Sequence, residues 1–179
     1  MATPQDVIDF WLKAGPGKWF ARDAAFDALI RERFEGAHHA AARGEYDGWQ
    51  DSPEGALALL ILLDQVPRNI FRRSPHAFAA DPLARAAARR AIEHGFDRQV
   101  DPALRPFFYL PFEHSEDPAD QDYSVALCTE HGDAETLKWA VLHRDIISRF
   151  GRFPHRNAML GRETTADEQA FLDKGGFAG

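Results

Sequence analysis

Acidic, basic and imidazole side chains gather at three places in this chain, each after an apolar run. The first is Asp64-Gln65-Val66-Pro67-Arg68-Asn69-Ile70-Phe71-Arg72. The second begins where Phe107-Phe108-Tyr109-Leu110-Pro111-Phe112 gives way to Glu113-His114-Ser115-Glu116-Asp117. The third, Arg149-Phe150-Gly151-Arg152-Phe153-Pro154-His155-Arg156-Asn157, closes a segment that carries His143. Guanidinium groups are rigid forks of donors matched to carboxylates and phosphates, and the side-chain amides add donors and acceptors. Glu113, His114, His143 and His155 are therefore candidates for acid/base catalysis. Asp64, Gln65, Arg68, Asn69, Arg72, Arg152, Arg156 and Asn157 are candidates for holding a small anionic ligand.

Each candidate has a structural alternative. A charge taken into the core needs a counter-charge, so Asp64 and Arg68 would pair to fix a corner between helices. Glu113 and His114 would then neutralise Arg68 or Arg156. His143 shares a helical face with Trp139, Ile146, Ile147 and Phe150, where a core histidine is the plain expectation. No His-Glu-x-x-His and no paired-cysteine motif is present, so no metal site is assigned and no cofactor is indicated. Gly15-Pro16-Gly17-Lys18 lacks the upstream glycine of a phosphate loop and reads as a turn. Ser115 lies in no nucleophile elbow. Cys128, after Val125-Ala126-Leu127, reads as a small core residue. Trp11, Trp19, Trp49 and Trp139 are expected to pack rather than stack on bases.

Helices are what positions these groups. Six of the eleven prolines follow Ser, Thr or Asp (Thr3-Pro4, Ser52-Pro53, Ser74-Pro75, Asp81-Pro82, Asp101-Pro102 and Asp117-Pro118), a pairing that starts helices. Asp23 and Asp133 are further caps, and Thr165-Ala166-Asp167-Glu168 is a capping box. Phe26, Ile30, Phe34, Ala37 and Ala41 form a helical stripe ended by Gly44 as C′ residue. Ala56–Leu63 is apolar all round, the mark of a central helix; a helix from Pro53 through Leu63 should end or kink near Gln65, because Pro67 lacks an N–H. Long helices are expected over Asp81–Phe96, Asp117–Cys128 and Asp133–Phe150. No alternating pattern persists long enough for a strand. The expectation is an all-α chain of about seven or eight helices in antiparallel pairs, forming a single helical domain over 1–179.

Composition bounds the function. The 179 residues carry a formal net charge of −7, which argues against nucleic acid and anionic membrane as partners. Fourteen Phe and four Trp supply a core, and one cysteine excludes an intramolecular disulfide framework and fits a reducing cytosol. The start of the chain shows no signal-peptide pattern, and no apolar run approaches the ~20 residues that span a bilayer. A cytoplasmic protein is expected.

Trp19-Phe20, Leu59 to Asn69, Leu110-Pro111-Phe112-Glu113-His114-Ser115-Glu116, Arg149 to Asn157 and Leu160-Gly161-Arg162 together resemble a bacterial family of uncharacterised proteins, DUF924, over nearly the whole length. The resemblance implies a tetratricopeptide-like helical array and brings no established activity. Two readings follow. In one, the polar segments converge on a cleft that binds a small anionic ligand, with or without hydrolase-like acid/base chemistry. In the other, the polar motifs are struts of a non-enzymatic scaffold that binds a protein partner.

Overall fold

Capping chemistry decides where the helices begin. The structure, a computed structural model, describes residues 2–179 and is all-α. Helix α1 (Pro4–Ala14) opens on a full capping box between Thr3 and Asp6, and α2 (Pro16–Trp19) is a single turn after Gly15 at φ 74°. Asp23 caps α3 (Ala24–Ala42), Ser52 caps α4 (Pro53–Leu60), and α5 spans Val66–Ile70. Then come α6 (Asp81–Glu93) and α7 (Leu110–Glu113). Asp117 caps α8 (Pro118–His131), Asp133 caps α9 (Ala134–Phe150), and the Thr165–Glu168 box starts α10 (Ala166–Asp173). Gly44, at φ 78°, closes α3 as the C′ residue, with the Glu45 N–H donating to Ala40 O.

Three expected helix starts differ. Ser74-Pro75 leads only into the short 3₁₀ turn Pro75–Phe78, and Asp101 caps a turn by accepting from the Ala103 N–H. Asp81 does not cap α6 but lies inside its first turn, because its carboxylate is committed to Arg68. Trp139 also departs from expectation: it is 40% exposed, its Nε1 donating to Glu135.

The chain divides into two units, one holding the residues up to Arg72 with His76–Pro111, the other Arg73–Pro75 with Phe112–Gly179. In the first, α4 is the central element, packed by α1 and α6. Leu57, Leu59, Leu60, Ile61 and Leu62 are buried, and each contributes on the order of 1.5–3 kcal/mol by leaving water. Ala84, Ala88 and Ala91 give α6 the thin face that lets it approach α4 closely. In the second unit, α8 and α9 form an antiparallel pair joined through Gly132, and Ile146, Ile147 and Phe153 nucleate its core. Among the described residues no helix is long and apolar enough to cross a membrane.

The central helix does not stop before Pro67. It loosens into a π-helical turn over Ile61–Gln65, where the Val66 N–H reaches back five residues to Ile61 O, and then continues as α5. The cause is the proline ring, which would strike the Leu63 carbonyl in an α-helix and brings no N–H. The wider turn strands the Leu62 carbonyl: its α-helical donor serves Ile61, and its π-helical donor would be proline. His38 on α3, itself buried, supplies the missing donor from Nδ1 at 2.9 Å.

His38→Ala should therefore lower unfolding free energy by about 1–3 kcal/mol, read as a fall of several degrees in melting temperature. Burial, the largest influence, holds the His38 imidazole below its usual 6.5. The unfolded chain then protonates first, so this contribution is complete above pH 6.5 and is lost as pH falls below it; the alanine variant should show a shallower acid limb.

Candidate functional site

In the first unit the π turn aims Asp64 and Gln65 into the core. Gln65 Nε2 donates to Asp64 Oδ2 at 2.6 Å, and Arg68 lies 3.1 Å from Asp64 Oδ1. Arg68 also forms a two-pronged contact with Asp81, both distances 3.0 Å, and donates to Asp64 O at 2.7 Å. Burial alone would lower the Arg68 pKa, but the Asp64 and Asp81 charges outweigh it and the net shift is upward. Asn69 donates to Asp27 at 2.8 Å, and Arg72 grips the same carboxylate through Nε and Nη2 while also donating to Ala21 O. Asp27 and Asp81 thus anchor α3 and α6 to α5.

The second unit holds Glu113, His114 and His143, together with the turn that bears Arg152, His155, Arg156 and Asn157. Gln121, fully buried, donates to Glu113 O and Ser115 O at 2.7 Å each and fixes the backbone at the end of α7. His143 Nδ1 lies 3.1 Å from Glu113 Oε1 and 2.8 Å from Trp139 O, and the Glu113 and His143 side chains are both buried. A carbonyl only accepts, so Nδ1 carries a proton. The His114 ring stands 6.4 Å from that of His143. Among the described residues no three His, Cys, Asp or Glu side chains form a metal-holding group.

Gly151, at φ 68°, turns the chain out of α9, and the turn that follows is locked by two bidentate pairs. Arg162 grips Glu116 at 2.7 and 3.0 Å while Glu116 Oε1 accepts the Phe153 N–H. Arg152 grips Glu168 at 2.6 and 2.8 Å, and Asn157 Nδ2 joins at 3.2 Å. The Arg152 contacts draw the Glu168 carboxyl down to about 2. Beyond them Arg156, a residue 6% exposed, holds its guanidinium 4.5 Å over the Phe153 ring. His155 is held down to about 3, by burial first and then by the Arg156 charge, so it is neutral at pH 7. Its Nδ1 is buried with no hydrogen-bond partner among the described residues.

The family model described as a bacterial protein of unknown function, DUF924, matches residues 7–176. The chain belongs to this family. A solved structure, that of a protein of unknown function from Agrobacterium tumefaciens, is 53% identical and matches over 96% of this DUF924 chain and 97% of its own, with a TM-score of 0.93. Comparison with curated proteins finds no match.

Set against the sequence, the four acid/base candidates of this DUF924 protein fall in one unit, with Arg152, Arg156 and Asn157. Asp64, Gln65, Arg68, Asn69 and Arg72 fall in the other, where internal carboxylates engage the two arginines. Cys128 is a core residue, its thiol pushed up to about 12 by burial. Three participants escaped sequence reasoning: Gln121, Glu168 and Phe177. Phe177 packs edge-on against His143 at 4.5 Å and His155 at 5.2 Å. The capping box did announce Glu168, but not its second task of holding Arg152.

Glu168→Gln should reduce the melting temperature at pH 7 by weakening both the Arg152 grip and the cap of α10. The depressed folded pKa makes this contribution complete above pH 4.5 and lost as pH falls toward about 2. Melting curves at a series of pH values should show wild type and variant converging across that window.

Proposed function

We propose that the second unit binds a small anionic ligand beside the Glu113–His143 pair and performs acid/base chemistry there. The observation that carries this reading is the pair itself: a buried carboxylate 3.1 Å from a buried imidazole, with the Nδ1–H tautomer set by Trp139 O. A carboxylate beside a histidine whose Nδ1–H is fixed by a carbonyl resembles the arrangement from which Nε2 acts as a base in hydrolytic dyads and triads. His155, neutral and with a buried Nδ1 lacking a hydrogen bond among the described residues, is a poor base but can donate from Nδ1–H to an oxygen of an anionic ligand. Arg156 supplies the fork for an anionic group, and His114 adds a second imidazole, its ring edge-on to that of His143 at 6.4 Å. The Asp64–Arg72 group serves in this reading as the internal brace of the first unit. The single buried cysteine supports a reducing, cytoplasmic setting.

A scaffold role is the second reading. Phe20, 65% exposed and stacked on Phe107 at 6.1 Å, favours it as an apolar contact for a protein partner on a tetratricopeptide-like body.

A thermal-shift screen against phosphate and small carboxylates separates the two readings. A ligand at a hundred times its dissociation constant adds about 2.7 kcal/mol, roughly 5–10 °C for a chain of this size. Glu113→Gln should abolish the shift; an undiminished shift in that variant, or none in the wild type, would refute the acid/base reading.

A further inference from the structure

The segment after α10 lies across the histidine group. The end of α10 is closed by Gly175, at φ 78°, and by the Gly176 N–H donating to Phe171 O. Gly176 is required by close approach, since a Cβ there would stand 2.6 Å from the Phe171 ring and carbonyl. Two consecutive glycines thus redirect the chain so that Phe177 enters a slot between Trp139, His143 and His155, backed by the Phe153 cluster. Its ring planes meet those of Trp139, His143 and His155 at 56°, 66° and 85°, the tilted and edge-to-face geometry by which aromatic slots hold an aromatic guest. The Gly179 backbone follows over His155, where a Cβ would come within 3.0 Å of the imidazole. Phe177 itself is only half-buried, so it contributes less to the core than Phe153.

We propose that the ligand of this group is an aromatic carboxylate whose ring takes the place of Phe177 while its anionic end meets Arg156, the segment from Lys174 to Gly179 withdrawing as a strap. This rests on the acid/base reading of Glu113 and His143 and names the ligand class for that site. Three observations converge on it: the slot holds an aromatic ring, a guanidinium lies over the wall residue Phe153, and the buried His155 Nδ1 has no hydrogen-bond partner among the described residues. An internal occupant of this kind competes with its ligand, so apparent affinity falls by the fraction of molecules with the strap in place.

The test uses the full chain, the variant Phe177→Ala, and phenylacetate and acetate as probes. Removing the occupant should tighten phenylacetate about tenfold while acetate moves within about twofold. In parallel, imidazole titration by NMR should show His155 rising from about 3 toward 6.5 as its cover is lost. Phe177→Leu keeps apolar bulk without the ring and supplies the same readouts if the alanine variant does not fold. An unchanged His155 titration would overturn the strap. Equal gains for acetate and phenylacetate would overturn the aromatic class alone. Absence of binding by both probes, in wild type and variants, would overturn the acid/base reading beneath it.

Discussion

A charge withdrawn from water must meet a counter-charge within a few ångströms, and in this chain that requirement fixes most of the turns. Asp81 forgoes the capping of α6 to meet Arg68. Asp27, on α3, ties down Asn69 and Arg72 across more than forty residues of sequence. Glu116 and Glu168 clamp the two ends of the turn that follows α9. These four carboxylates are placed by the fold, and the arginines facing them are rigid forks that accept one geometry well. Arginine-rich motifs that look alike in sequence thus do different work. The Asp64–Arg72 group braces the first unit internally, whereas the turn at 152–157 is braced at its ends by Glu116 and Glu168, with His155 and Arg156 between them.

Backbone hydrogen bonding imposes the second constraint. Pro67 forces the central helix through a π turn, and the carbonyl released at Leu62 finds its donor on another helix, in His38. A histidine on an apolar helical face is thereby explained without catalysis. His143 also lies on an apolar face and also directs Nδ1 to a backbone carbonyl, yet Glu113 stands beside it at 3.1 Å. That carboxylate is what distinguishes the surroundings of His143 from those of His38, and the proposed acid/base role rests on it.

The helices were largely legible because capping is local: Thr3, Asp23, Ser52, Asp117, Asp133 and Thr165 all cap as their neighbours in sequence imply. The failures have a common cause. Ser74, Asp81 and Asp101 carry the same short side chains before proline, but longer-range contacts or the lack of an apolar face to bury decide against a capped helix start. The π turn was legible only as an interruption, since choosing between a break and a five-residue reach depends on what His38 offers from another helix. Of the site, the residue types around Glu113, His143 and His155 were readable, while Phe177 was not. It follows Gly175-Gly176 with no periodicity around it, and only the fold shows that it enters between two imidazoles.

The central claim is a division of labour: the Glu113–His143 pair meets the ligand, and the Arg68 pairs hold the fold. Paired measurements of melting temperature and ligand-induced shift, made on Asp81→Asn and His143→Gln, test it most directly. The account predicts that Asp81→Asn melts lower and keeps the full ligand shift, whereas His143→Gln loses the shift with a smaller change in melting. The reverse pattern, with the shift lost in Asp81→Asn and intact in His143→Gln, would contradict it.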